Sequence, residues 1–579
     1  MMKAIVRALA SAAILAAGSL HQASAQDAGF DIVRFQVEGN TLLPAERIEQ
    51  LVAPFVGRRK VYGDVQKALE ALEGDYQRRG YGTVQVYVPE QELTSGVVRL
   101  LVSEGVVGKV TISGNQYFNN ENVRAALPQL KEGEAPNMRK LSENVQLSNE
   151  NPAKQVEVTL GVSEDEGKVD VKVEVKEEKP ERFFVTLDNT GTGATQQNAV
   201  PTGKHRLGFS YQNANVGNSD QVLTLAYTTA IDPPGGMKIL GNRINPGQDG
   251  DGVKVDIFSI GYRLPLYSLG DSIDFIYGNS STNTPVVSPN LNSGLGINGK
   301  GEVFGFRYNH IFPRAGEFTS KLVLGLDYKY FNSRCNQPGT TTPAPIDPSP
   351  LPIAQFSCVP YTLRPVSATY SGQWQKPGEV IDFNVGGAHH LFPMGSSYVG
   401  PMGTDRYSSI ANGNRQGKDE FTVLRFGGSY ARSIKDDWLI RGALNAQYAE
   451  NPLPSGEQIG LAGSTAVRGF LERAVSADRG YVVNLEVYSP DYAGGLGLVG
   501  SLKGLVFYDV ASGQNMAANS FARSNIASAG IGFRYNLKKD ISVRFDLAYV
   551  LDGHQSTPGA YEVAKQGDIR GHFGLAFGF

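Results

Sequence analysis

Leu322-Val323-Leu324-Gly325-Leu326-Asp327-Tyr328-Lys329-Tyr330 alternates in character at every step. Successive side chains of an extended chain point to opposite faces. Leu322, Leu324, Leu326, Tyr328 and Tyr330 therefore share one face, and Val323, Gly325, Asp327 and Lys329 share the other. Val543–Tyr549 alternates in the same way, with Arg544 and Asp546 on its polar side. We count about sixteen such segments after Pro180, from 182–189 to 569–579. Each is close to the ~10 residues with which a tilted strand crosses an outer membrane. The connections alternate between long ones (190–202, 232–253, 333–358, 392–417, 449–479 and 552–568) and short ones (214–218, 266–268, 375–378, 433–435 and 537–539). Short turns on one side and long loops on the other characterise an outer-membrane barrel, whereas a soluble sandwich has no need of them. The fold class expected for 180–579 is thus an all-β transmembrane barrel of about 16 antiparallel strands. An even strand count returns the C-terminus to the periplasm.

Composition agrees with this reading. The 579 residues carry a formal net charge of -3 and a mean hydropathy of -0.23, with 68 Gly, 26 Tyr and 27 Phe. The charge gives no reason to expect a nucleic-acid partner, and past residue 25 no apolar run approaches the ~20 residues of a spanning helix. Alternating faces average to a mildly polar whole, so a barrel hides in such statistics. Residues 1–25 read as a cleaved signal peptide: Lys3 and Arg7 precede the apolar Ala8–Leu20, and Ala23-Ser24-Ala25 supplies small residues for cleavage. Export places Cys335 and Cys358 where thiols oxidise, and their shared Pro- and Thr-rich stretch suits a disulfide staple in a loop.

Residues 26–105 and 106–179 read as two copies of a small α+β unit. In the first, an alternating strand ends in Gly39-Asn40, and helical spacing follows over Pro44–Val56 and Asp64–Arg79. Strands are expected at Val84–Val88 and Val97–Ser103. The second repeats strand-then-Gly-Asn at Lys109–Gly114-Asn115. Helices are expected at Val123–Leu130 and Lys140–Asn149, and strands at Gln155–Ser163 and Lys168–Lys176.

Between the eleventh and twelfth barrel segments, the long connection 449–479 contains Val467-Arg468-Gly469-Phe470. Two soluble β-α-α-β-β units followed by sixteen strands with this VRGF loop resemble the two-partner secretion transporters. This is the TpsB branch (FhaC/ShlB/HecB-like) of the superfamily that includes BamA. Pro89-Glu90-Gln91-Glu92-Leu93 with Gly96–Val102 and Glu104-Gly105 resembles the close of that family's first POTRA domain, and Asp188-Asn189, Thr202-Gly203 and Arg206 resemble the start of its barrel. The likeness spans essentially the whole mature chain. It implies an outer-membrane pore that recognises a large secreted TpsA-like protein with periplasmic POTRA domains and exports it to the cell surface. An extended segment of that protein would add as a strand to a POTRA sheet edge, with Val84–Val88 and Val169–Val175 as the two candidate segments and the choice between them left open by the sequence. Outer-membrane lipid would surround the pore. His572–Phe579, ending on Phe577 and Phe579, resembles the C-terminal signal by which the barrel assembly machinery recognises its substrates.

In the family the loop arginine pairs with an aspartate of an F-x-D-x-G motif on the thirteenth strand. Phe507-Tyr508-Asp509 matches, while Ala511 stands at the glycine. The resemblance thus implies that Asp509 holds Arg468, and strand parity places Leu505, Phe507 and Asp509 on the lumen side. Glu486, beside Asn484 on the twelfth strand, is a further candidate contact. Arginine suits a two-pronged grip on a carboxylate. On its own, such an arginine is more simply a solvated loop-tip cation. Only Gln26–Gly29 precede the first strand, too few for the plugging helix of some family members, so closure is expected to rest on the VRGF loop.

The competing reading is an outer-membrane assembly factor of the BamA class, against which the count of two POTRA units and the VRGF phrase both speak. A diffusion porin has no use for two recognition domains. No enzyme is expected and no cofactor. Gly270-Asp271-Ser272-Ile273 resembles the start of a GDS-type hydrolase but sits where a turn enters a strand. His389-His390 point to opposite faces, no zinc spacing is present, and no phosphate-binding loop exists to hydrolyse a nucleotide.

Overall fold

The computed structural model describes residues 29–92, 95–191, 203–231, 237–239, 242–244, 255–280, 301–331, 361–390, 398–400, 403–405, 411–412, 415–416, 420–454, 456–516, 521–538, 540–553 and 564–579. The signal segment and both cysteines lie outside them. Two compact units divide the chain: residues 1–109, 131–138 and 162–170 form one, and residues 110–130, 139–161 and 171–579 the other.

In the first unit, strands β1 (Phe30–Ile32) and β2 (Arg34–Glu38) lead to helix α1 (Ala45–Val52), β3 (Gly57–Lys60) and helix α2 (Tyr62–Arg78). Strands β4 (Gln85–Tyr87) and β5 (Val97–Ser103) follow. β5 lies centrally, parallel to β2 and antiparallel to β4. The helical repeat puts Ile48, Val52, Val65, Leu72 and Tyr76 on faces that pack against Val86, Val98 and Leu100. β3 pairs with β1, yet Gly57-Arg58-Arg59-Lys60 has no apolar alternation to announce a strand. Buried Asp75 gathers Arg47 (2.8 Å), Arg78 (3.1 Å) and Arg79 (2.9 Å). Hydrogen bonds from Arg47 above all, with those from Arg79 and Arg78, hold its carboxyl well below the usual carboxylate range.

The next elements are β6 (Val106–Ser113), α3 (Asn120–Ala126), α4 (Met138–Asn149), β7 (Lys154–Val162) and β8 (Lys168–Glu177). The repeat is visible atom by atom. A Cβ at Gly39 would meet the Val102 carbonyl oxygen at 2.3 Å, and one at Gly114 would meet that of Val175 at the same distance. Both turns therefore need glycine. Two residues beyond each of those valines, a carboxylate receives backbone N–H groups from the turn: Glu104 from Leu42 (3.1 Å) and Glu177 from Phe118 (3.1 Å). Helix α3 stops at Ala126, short of the expected Leu130, because Pro128 disfavours helical backbone at Leu127, which sits at φ -124 and ψ 62.

From Glu181 the chain forms one closed barrel of sixteen antiparallel strands. They are β9 (Glu181–Asp188), β10 (Arg206–Val216), β11 (Gln221–Ala230), β12 (Asp256–Leu266), β13 (Asp271–Ser280), β14 (Gly301–Ala315), β15 (Phe318–Phe331) and β16 (Tyr361–Leu363 with Pro365–Lys376). The circuit continues through β17 (Glu379–His390), β18 (Thr422–Ser433), β19 (Leu439–Ala449), β20 (Arg479–Tyr488), β21 (Ser501–Met516), β22 (Phe521–Leu537), β23 (Ile541–Asp552) and β24 (Ile569–Gly578). β24 pairs back onto β9, and Phe579 and Phe183 exchange N–H···O bonds of 2.9 and 3.0 Å beyond the last ladder pair. The expected segments match these within a few residues, except that β21 and β22 approach each other across only 517–520. The barrel is polar inside and apolar outside, as a strand between lumen and lipid requires: Phe275, Leu326, Leu485 and Val506 are exposed, while Asp274, Asn309, Asp509 and Asp546 are buried.

Within the same second unit, the α4–β7 corner docks on the short turns of the barrel. Lys154 is buried and pairs with Asp220, which also accepts from the Tyr267 hydroxyl (2.5 Å). Glu150 meets Arg263 (3.1 Å) on β12 and Lys321 (2.9 Å) on β15.

Candidate functional site

The connection from β19 to β20 turns back into the barrel. Leu461, Val467 and Phe470 are fully buried and cluster with Val482 of β20, Ala511 of β21, Ile526 of β22 and Val550 of β23. Ala511 occupies a regular ladder position opposite Val482 and Ile526, and its methyl fills part of this cluster where glycine would leave space. Apolar packing thus places the loop tip against the wall formed by β20 to β23. The clustered side chains are then walled off from water, which raises the value of any charge pairing beside them.

Arg468 is 3% exposed and Asp509 is fully buried. The guanidinium donates from Nε to Asp509 Oδ2 at 2.7 Å and from Nη2 to Asp509 Oδ1 at 2.7 Å. This is the fork-to-fork arrangement that makes arginine–carboxylate pairing directional. Nη1 turns to Glu486 Oε1 at 3.0 Å and lies 3.6 Å from Asp546 Oδ1. The guanidinium carbon sits 3.5 Å from the centroid of the Phe507 ring, a cation stacked on an aromatic face. The structure thus brings Arg468, Phe507, Asp509 and Glu486 into one cluster. Val506 (53% exposed) and Tyr508 (43% exposed) point outward between these lumenal residues.

Several participants carry no motif. Asn484 donates to Asp509 Oδ1 (2.8 Å) and to the Ala466 carbonyl (2.8 Å), joining wall to loop. Gly469, at φ +97, donates its N–H to His572 Nε2 at 2.9 Å. Asp546 is shared with Arg534 at 2.8 Å, and Glu486 with Arg441 at 2.9 Å. Strand parity marked Asp546 as lumenal, but nothing in the sequence alone brings the fifteenth strand to Arg468. Asp478, fully buried at the end of the loop, accepts from Leu453 N (3.0 Å), Gln458 Nε2 (2.9 Å) and Met516 N (2.8 Å), closing the loop's base. Between the loop and the wall of β12–β19 remains a lumenal cavity of about 640 Å³, with Arg263, Arg307, Lys329, Arg425 and Glu457 in its lining.

Other candidates separate from this cluster. Phe577 and Phe579 are exposed at the end of the closing strand. Ser272 of the Gly-Asp-Ser stretch accepts from Asn309 (3.2 Å) in the barrel wall, and Asp271 is held by His310 (2.9 Å); both act as ladder side chains. Among the described residues no group of His, Cys, Asp and Glu is arranged to hold a metal ion. Of the two candidate edge segments, Val169–Val175 belongs to β8, which lies between β6 and β7 and so offers no open edge. Its alternating valines reflect a sheet centre, with Val171, Val173 and Val175 buried. Val84–Val88 contains β4, which does lie at a sheet edge. There the Val86 N–H, turned away from β5, is received by the Glu73 carboxylate of α2 at 2.8 Å.

Comparisons with known proteins converge. Residues 30–105 match the ShlB-type POTRA domain, 105–178 the POTRA surface-antigen repeat, and 394–535 the haemolysin secretion/activation protein family ShlB/FhaC/HecB. The outer membrane transporter CdiB of Escherichia coli O6:K15:H31 (strain 536 / UPEC) is 23% identical over 493 residues, covering 82% of this chain and 72% of the relative. The heme/hemopexin transporter protein HuxB of Haemophilus influenzae is 19% identical over 538 residues, 91% of this chain and 84% of the relative. Among solved structures, CdiB from Escherichia coli superposes with a TM-score of 0.66 at 19% identity over 98% of this chain and 93% of the other. CdiB from Acinetobacter baumannii gives 0.63 at 14% identity over 95% and 90%.

Proposed function

The chain belongs to the haemolysin secretion/activation (ShlB/FhaC/HecB) family of two-partner secretion transporters, outer-membrane barrels with periplasmic POTRA domains that translocate secreted partner proteins, and from that premise we propose how it does so. A secreted partner arrives extended in the periplasm and adds as a strand to the edge of β4, where backbone groups supply affinity and flanking pockets supply selectivity. Glu73 occupies the outward N–H of Val86 in the resting state, so capture displaces a carboxylate instead of meeting a bare edge. The strand then passes into a barrel whose resting lumen is filled by the 449–479 loop, with Arg468 as its clamp on β20 and β21. Folding of the partner outside draws it through. Exposed Phe577 and Phe579 serve recognition by the barrel assembly machinery, and the outward apolar belt meets outer-membrane lipid.

The observation that carries this reading is the buried fork between Arg468 and Asp509, which joins a loop interior to the barrel wall. The test is co-expression with a candidate large secreted protein, scored by its release at the cell surface. Arg468→Ala and Asp509→Ala should each lower release while the barrel remains folded in the outer membrane. Undiminished release with both variants would remove the clamp from the transport cycle.

A further inference from the structure

Glu457 lies eleven residues before Arg468 on the same loop and carries the opposite charge. It is 2% exposed. Its Oε1 receives Lys329 Nζ at 2.7 Å and its Oε2 receives Arg425 Nη2 at 2.8 Å. Lys329 stands on β15, the seventh barrel strand, and Arg425 on β18, the tenth. Arg468 grips the twelfth and thirteenth strands and approaches the fifteenth, and the N–H of Gly469 reaches the sixteenth. In a circuit of sixteen strands, the seventh and the fifteenth stand opposite each other. The loop is therefore tied to both sides of the lumen through ion pairs of opposite polarity.

The Glu457 end is built as a site. Its backbone N–H bonds to the Pro454 carbonyl at 2.9 Å, which sets the turn that aims the carboxylate. Gln447 Nε2 of β19 donates to the Glu457 carbonyl at 2.9 Å, and Arg425 Nε donates to Gln447 Oε1 at 3.1 Å, so one side chain fixes both partners. Lys329 and Arg425 belong to a wall with further cations, Arg263, Arg307 and Lys321, and Glu457 brings the loop's negative charge to it.

We propose that Glu457 is a second anchor of the loop, clasping Lys329 and Arg425, and that the loop is a cross-brace whose two ends release independently. This rests on the clamp reading above and extends it: breaking the Arg468 fork frees the loop's tip, but its stem stays bound across the cavity until Glu457 also lets go. Charge polarity makes the two releases distinct. An acidic segment of the passing partner competes for Lys329 and Arg425, whereas a basic segment competes for Asp509 and Glu486.

The test uses the purified full-length barrel in detergent for native-state amide exchange and in planar bilayers for single-channel recording. Three variants are compared: Glu457→Gln, Arg468→Ala and their combination. Glu457→Gln should speed exchange over 456–461 by about tenfold, an opening free energy lowered by about 1.4 kcal/mol, while the tip around 467–470 stays protected. Arg468→Ala should do the reverse, and the combination should raise channel openings beyond either single effect, to about their product. Lys329→Gln with Arg425→Gln, which removes the partners and leaves the loop sequence intact, should speed stem exchange at least as much as Glu457→Gln, separating lost charge pairing from a damaged loop. If Glu457→Gln matches the parent in stem exchange and openings while Arg468→Ala moves the tip, the second anchor is refuted and the clamp stands. Failure of every variant to move any readout overturns both.

Discussion

Replacing Arg468 by alanine isolates the clamp, because the structure shows where the cost falls. Glu486 keeps Arg441 at 2.9 Å and Asp546 keeps Arg534 at 2.8 Å, so neither loses its cation. Asp509 differs: fully buried, it retains Asn484 at 2.8 Å and the backbone N–H of residue 468 at 3.2 Å, but loses both prongs of the guanidinium. Leaving one partner of a buried pair uncompensated costs ~3–5 kcal/mol, and less where water reaches it. Taking ~3 kcal/mol, the loop-free state gains about a hundredfold in population. Amide exchange reads this directly, since Val467 N is bonded to the Leu461 carbonyl (3.1 Å) and Gly469 N to His572. Asp509→Ala alone should behave similarly, and the double variant should recover part of the loss, giving a coupling of ~2–3 kcal/mol. Arg468→Lys preserves charge but not the fork and should fall between. The reasoning is refuted if the single losses simply add, with coupling below about 0.5 kcal/mol, because the loop would then be held by Leu461, Val467 and Phe470 alone.

Three further outcomes are expected. Lys154→Met leaves Asp220 buried with the Tyr267 hydroxyl and should destabilise the docking of β7 by ~3–5 kcal/mol, whereas Lys154→Met with Asp220→Asn should return to within about 1 kcal/mol of the parent, read from exchange of β7 amides. Glu73→Ala bares the Val86 N–H at the β4 edge and should tighten binding of an extended partner segment by ~0.5–1.5 kcal/mol in a pull-down titration, while unchanged affinity would remove β4 as the acceptor. Asp75 has a folded pKa held below its unfolded value by Arg47, Arg79 and Arg78. Its contribution is present above the unfolded pKa near ~3.9 and is lost as pH falls through the folded value, so α2 should lose exchange protection in acid more steeply than in Asp75→Asn.

Period-two alternation made the barrel legible because the lumen and the bilayer impose opposite preferences on every strand, and Leu322–Tyr330 obeys both. The same rule could not choose between the edge candidates Val84–Val88 and Val169–Val175. Alternating valines report that one face is buried, but they are silent on whether the strand's edges are paired, and β8 turned out to be paired on both. Edge availability is a property of chain topology, and of the two candidates it is the short β4, with too few residues to alternate visibly, that lies at an edge. The functional cluster divides the same way. Arg468 and Asp509 were legible because each sits in a compact phrase and resemblance joined the two phrases. Glu457, Lys329 and Arg425 sit in no phrase. They lie on three separate elements spread over 128 residues of chain, and only closure of the barrel brings them within 3 Å. Alternation sets Lys329 on the face opposite Leu322, Leu324 and Leu326, but parity gives a side chain its face and not its partner across the lumen. A loop that crosses a barrel is therefore the element least recoverable from pattern alone, since each of its anchors is set by strands remote in sequence from it and from one another. Its two ends here are also unlike in kind. The tip is wedged by Val467 and Phe470 and its Asp509 partner is fully buried, while the stem packs Leu453 against Phe331 and Phe421 but pairs its Glu457 with an Arg425 side chain that is 43% exposed. Screening by salt weakens exposed and partly wet pairs more than dry ones, so raising ionic strength should loosen the stem before the tip, an order that a loop held at one point could not produce.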